Sequence, residues 1–150
     1  MASHVSYSLQ MLCELPQYTA TDTYPAVVQN ACLESYFVHL RLAVEFFWHD
    51  KEKRGRDIHA TDFVSDWQAD NDRMHELWEF ASQNVVHLSM QRIPSRNESV
   101  QNVAPRVLSL HAATVIGISK EFRDQLVATG SDVATLFTNT IAAAEKALAS

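Results

Sequence analysis

Three groups of side chains in this 150-residue sequence set acids, bases and imidazoles at helical spacing. The first is Glu34, His39 and Arg41, in ESYFVHLR. On a helix, His39 shares a stripe with Cys32, Tyr36, Ala43 and Phe47 and points inward, while Glu34, Val38, Arg41 and Glu45 occupy the adjacent stripe. A histidine placed this way needs a carboxylate or hydroxyl partner, because buried polar groups are hydrogen-bonded, and the reading favours a core histidine over a ligand. The second group is Asn84, His87 and Gln91 in QNVVHLSMQR, followed by Arg92, a polar seam beside the apolar stripe of Trp78, Ala81, Val85 and Leu88. If the two seams faced each other they would make a buried network, and such networks fix register as often as they catalyse. The third is Arg106 and His111 in RVLSLH. An arginine can stabilise charge developing on a phosphate and a histidine can move the proton of a ribose hydroxyl, so the pair suits metal-free RNA cleavage. The spacing arises readily by chance, however, and His111 lies on an apolar stripe, which again favours a core role.

Other chemistries find less support. Glu45 with His49, and His75 with Glu79, stand four apart on a helical face, but the Glu-x-x-His spacing of carboxylate-bridged metal bundles is missing, so neither a metal nor a cofactor is expected. No G-x-S-x-G, glycine-rich phosphate loop or activated cysteine is visible. Cys13 and Cys32 lack metal-ligand spacing and read as buried thiols of a reducing compartment. A net charge of −6 argues against broad attraction to nucleic acid. The local basic run Lys51, Lys53, Arg54 and Arg56, with Arg92, Arg96 and Arg106 as candidates to join it, reads first as a solvated loop.

The elements that must position these residues are helices. Three glycines and four prolines leave long uninterrupted segments, too few breaks for a β-sandwich. A first helix runs from about Ser3 to Leu15 and stops at Pro16. A second starts at Tyr24 and Pro25 and runs to about His49. A short turn follows in ATDFVSDW, with Thr61 or Asp62 as its cap. A third helix spans about Asp70 to Ile93, opened by Asp70 and Asp72 at the positive end of its dipole. A fourth spans Pro105 to about Thr129 on the stripe Leu108, His111, Val115, Ile118 and Phe122, with Gly117 a weak point and Gly130 its end. A last helix follows a cap at Ser131 or Asp132.

Length and composition, with 47% hydrophobic and 20% charged residues, fit one globular domain with a single core. Amphipathic helices joined by short connections imply an all-α, antiparallel up-and-down bundle of four to five main helices. There is neither a leader-like N-terminus nor an apolar run long enough to span a bilayer, so a cytoplasmic protein without membrane association is expected. The second helix is apolar over so wide a surface that it should be central or pack on a second subunit.

The segment ACLESYFVHLRLAVEFF, followed by DIHATDF and QNVVHLSMQR, resembles three consecutive blocks of a group of small bacterial helical-bundle proteins related to the HEPN superfamily. The resemblance covers about Ala31 to Ile93, with RVLSLH a further element. It implies a helical bundle, commonly dimeric, in a superfamily where many members are RNases of toxin–antitoxin or phage-defence systems with an R-x4–6-H motif. Carried over, Arg106 and His111 would be the catalytic pair, meeting their counterparts at a dimer interface, although Val107 stands where active members usually carry a polar residue. The group's recurrent positions match Glu34, His39, Arg41, Asp62, His87 and Arg92, which would line a pocket for an anionic ligand or lock helix to helix through charge-assisted hydrogen bonds. The resulting expectation is a non-enzymatic or degenerate HEPN-like bundle that binds a ligand or an RNA or protein partner as a homodimer. A metal-free endoribonuclease is the alternative.

Overall fold

A computed structural model describes residues 2–48, 58–85 and 104–149. Among them the chain forms five α-helices and no strand: α1 (Ala2–Glu14), α2 (Ala26–Trp48), α3 (Asn71–Val85), α4 (Pro105–Ala128) and α5 (Ala134–Leu148). The all-α bundle expected from the spacing of apolar residues is therefore what the chain adopts.

Helix boundaries follow the backbone chemistry of a few residues. Pro16 converts the end of α1 into a 3-10 turn, Leu15–Tyr18. At the start of α3, the Asp70 side chain accepts the Arg73 N–H at 3.1 Å and so caps an otherwise orphaned donor. α4 opens on Pro105, whose missing N–H has no partner to lose. It closes through Gly130 in the left-handed conformation at φ 70°. There the Ser131 N–H reaches Leu126 O and the Gly130 N–H reaches Val127 O, each at 3.0 Å, which is the Schellman closure.

Two expectations need adjustment, and a third lies partly beyond the described residues. Ser131 does not cap α5 at its first turn. Its N–H closes α4, its hydroxyl accepts only the Val133 N–H at 3.4 Å, and α5 begins at Ala134. The segment ATDFVSDW holds a three-residue 3-10 turn, Ala60–Asp62, and Asp62 lies inside that turn, reaching back to the N–H of His59 at 2.9 Å. α3 is followed to Val85, and the expected continuation to Ile93 lies outside the described residues.

Contacts along the helices fix their directions. Phe37 meets Phe80 while Trp48 bonds Asn71, so α2 and α3 are antiparallel. Phe80 meets His111 while Arg73 lies 3.6 Å from Glu121, so α3 and α4 are antiparallel too. Ser8 with His39, and Leu15 beside Val28 and Cys32, make α1 and α2 antiparallel as well. α4 and α5 run oppositely, with Phe122 on Phe137 and Lys120 on Glu145. α1 also packs against α5, which closes the bundle, and the four reversals between them make this pair parallel.

One cluster of buried side chains draws on all five helices. At its centre Phe122 is fully buried and meets Phe46, Phe47, Trp67 and Phe137 edge to face, with centroids 5.1–5.6 Å apart. Trp67 is tied to α2 by its indole N–H, which donates to Phe47 O at 2.8 Å. Tyr36 crosses from α2 to α4, its buried hydroxyl donating to Leu108 O at 2.6 Å. No described helix is long and apolar enough to cross a membrane.

Candidate functional site

The polar residues singled out from the sequence fall into three places. His39 lies on the flank of α2 facing α1, half-buried, with Nδ1 3.2 Å from Ser8 Oγ and its ring edge-on to Tyr7 at 5.3 Å. Burial lowers the pKa of this imidazole below the usual histidine range, so it is neutral at pH 7. A serine beside a neutral imidazole has the makings of a nucleophile and its base, but Ser8 is only 5% exposed, in the middle of α1, where no substrate can meet it. The pair serves as a helix-to-helix hydrogen bond.

A second cluster joins Arg41 and Asp62 through two residues that the sequence reading did not single out for this role. Arg41 Nε donates to Glu45 Oε1 at 2.9 Å, an i,i+4 ion pair on the outer turn of α2. The backbone carbonyl of the same Glu45 lies 3.3 Å from Nδ1 of His59. Asp62 then holds the His59 backbone N–H. His59 is 2% exposed, and its Nε2 has no hydrogen-bond partner. The signal for it in the sequence was the H-x-x-D spacing of HATD, in which the aspartate reaches back to a backbone N–H three residues earlier. Glu34 stands on the exposed face of α2, about two turns before Arg41.

The third place is α4. Arg106 is exposed in its first turn, whereas His111 is half-buried with its ring 4.1 Å from that of Phe80 and tilted 33° from it. Burial pulls the His111 pKa down, against a smaller upward pull from Glu76. Five residues of helix turn through about 500°, so Arg106 and His111 leave α4 about 140° apart. Asn84 spends its amide on Phe80 O of its own helix, at 2.7 Å. His87, Gln91 and Arg92 lie outside the described residues, as do His49 and the basic run from Lys51 to Arg56. Among the described residues no three His, Cys, Asp or Glu side chains group to hold a metal ion. Cys13 and Cys32 are free thiols, and burial pushes Cys13 up to about 12, which makes it a poor nucleophile.

The outer face of α2 is apolar. Val27, Ala31, Val38 and Leu42 lie within one arc on the outside of α2, and Val27 is 73%, Val38 45% and Leu42 49% exposed. Beside this arc, Leu15, Val27, Val28, Ala31, Cys32 and Ser35 line an open groove of about 370 Å³. Compared with known protein families, curated proteins and solved structures, the chain finds no match in any of the three.

Proposed function

We propose that this chain is a non-enzymatic, HEPN-like helical bundle of the cytoplasm that acts by binding, and that its first partner is a second copy of itself. The observation that carries this reading is the outer face of α2, where solvent meets a row of aliphatic side chains that a monomer gains nothing by exposing. The polar residues support it from the other side. His39 is engaged with Ser8, Arg41 with Glu45 and Asp62 with His59, so each holds one segment to another or stiffens a helix turn. Two free thiols fit a reducing compartment.

The endoribonuclease reading retains one favourable observation, a His111 that is neutral at physiological pH and so in the form a general base requires. Against it stand the cover that Phe80 gives the ring and the divergence of Arg106 from it around α4. Two measurements test the proposal. Sedimentation velocity should report a dimer, and structured and single-stranded RNA incubated with the protein in EDTA should stay intact. Cleavage that Arg106→Ala and His111→Ala each abolish would replace the binding reading with the nuclease.

A further inference from the structure

The 3-10 turn Ala60–Asp62 and the residue that opens it carry two buried polar atoms with no hydrogen-bond partner, Nε2 of His59 and Oγ1 of Thr61. Buried polar groups in folded proteins are almost always paired, so two orphans this close in one short turn call for a reason. The turn borders a half-open cavity of about 310 Å³, where the end of α2 meets the start of α3. Phe47, Trp48 and Trp67 give the cavity aromatic walls, Ala60 and Thr61 form the side that the turn provides, and the carboxamides of Gln68 and Asn71 belong to exposed residues of its lining.

The aromatic walls are held in place by their own polar ends. Trp67 donates its indole N–H to Phe47 O at 2.8 Å, and Trp48 donates its own to Asn71 Oδ1 at 2.9 Å. Both indole N–H groups are thus spent within the protein, and what the rings offer an occupant is carbon surface, which favours another ring edge-on or offset. Cavities that take small organic ligands run from about 300 to 1,000 Å³, and this one, at the lower limit, has room for about one or two rings. Charge narrows the class further. None of the described lining residues is ionisable, and Asp62, Asp66, Asp70 and Asp72, each one residue from the lining, are exposed acids. An anion entering here would give up water and meet no cation. The one polar contact waiting is Thr61. Its hydroxyl can donate or accept, and a turn about χ1 exchanges that hydroxyl with the methyl group on the same carbon.

We propose that this cavity is a binding site for an uncharged aromatic compound of one or two rings. The ring packs on Phe47, Trp48 and Trp67, and a polar substituent bonds the hydroxyl of Thr61. The site lies at the end of α2, apart from the outer row on which the self-association reading rests, and it stands or falls independently of that reading. Empty, it leaves the fold with an unpartnered hydroxyl, and the occupant supplies the missing partner.

The chain has three tryptophans, of which Trp48 and Trp67 line the cavity and Trp78 does not, so their indole N–H resonances in the ¹⁵N-labelled full chain report the site and carry their own control. Trp48→Phe and Trp67→Phe assign the signals. Phenol, uncharged near neutral pH, is the probe; toluene replaces its hydroxyl with a methyl group, and benzoate replaces it with a charged carboxylate. Phenol should move the Trp48 and Trp67 signals and saturate below about 10 mM, leaving Trp78 in place, and benzoate should bind about tenfold more weakly or worse. Thr61→Val keeps the shape and removes the hydroxyl. It should weaken phenol about fivefold, leave toluene within about twofold, and raise the thermal midpoint of the free protein. Ala69→Phe, which fills part of the lining, should abolish the shifts while far-ultraviolet circular dichroism stays that of the parent. Shifts that fail to saturate, or that move Trp78 equally, overturn the site. Benzoate that binds as well as phenol overturns the uncharged class, and a Thr61→Val variant that treats phenol and toluene alike removes the hydroxyl from the contact.

Discussion

His39 and His111 sit half-buried between helices, and burial holds both below the ordinary histidine value of 6.5. The unfolded chain, whose imidazoles titrate at that ordinary value, therefore binds protons more readily than the folded one as the pH falls. The stability these two residues contribute is complete above about pH 6.5 and is lost as the pH drops from there through their lower folded values. Thermal unfolding of the parent between pH 7.5 and 5 should show a falling midpoint, and His39→Gln with His111→Gln should flatten that fall. An unchanged slope would mean that the two imidazoles are hydrated in the folded state. At this scale the sequence was informative about type and poor about partners. Helical spacing turned His39 and His111 toward the core, where the structure leaves both only half-buried, and Ser8 stands 31 residues from His39, with no periodicity within α2 that points to it. His59 escaped notice because its burial comes from a short non-helical turn, where neither helical nor strand spacing applies.

Helix limits were legible wherever a proline or glycine set them. Pro16, Pro25, Pro105 and Gly130 each mark a boundary, because their backbone constraints act locally and tertiary context cannot override them. The start of α5 was misread for an equally local reason: the Schellman closure of α4 uses the N–H of Ser131, so its backbone belongs to the preceding helix end. Two glycines separate these effects experimentally. Gly117 lies inside α4, and a Cβ there would meet nothing within 4 Å, so Gly117→Ala should stabilise the protein by about 0.5–1 kcal/mol. Gly130→Ala would force a Cβ into the left-handed region and should cost about 1–2 kcal/mol. Urea denaturation of the two variants would resolve the opposite signs.

For the molecule as a whole, apolar periodicity announced a bundle without saying which helices touch. The width of α2's apolar surface was visible in the sequence, and the structure divides it into the inner face built on Tyr36, Leu40 and Phe47 and the outer row from Val27 to Leu42. Contact between α1 and α5 was not legible, since each helix only displays an apolar stripe and nothing in a stripe names its counterpart. Phe122 is the place to test whether the bundle behaves as one body, because its ring meets residues of α2, α5 and the segment that carries Trp67. Phe122→Ala should lower stability by about 3–5 kcal/mol. Unfolding followed by tryptophan fluorescence and by far-ultraviolet circular dichroism should still coincide. Transitions that separate would show that the pieces of the core melt independently.

The parallel closure of α1 on α5 also decides where the two extremities emerge. Ala2 and Leu148 come out at opposite poles, separated by the length of a helix, about 20 Å. A linker leading from the end of α5 back to the start of α1 would need about seven or more extended residues, and a tight reverse turn there would pull α1 or α5 off its neighbour.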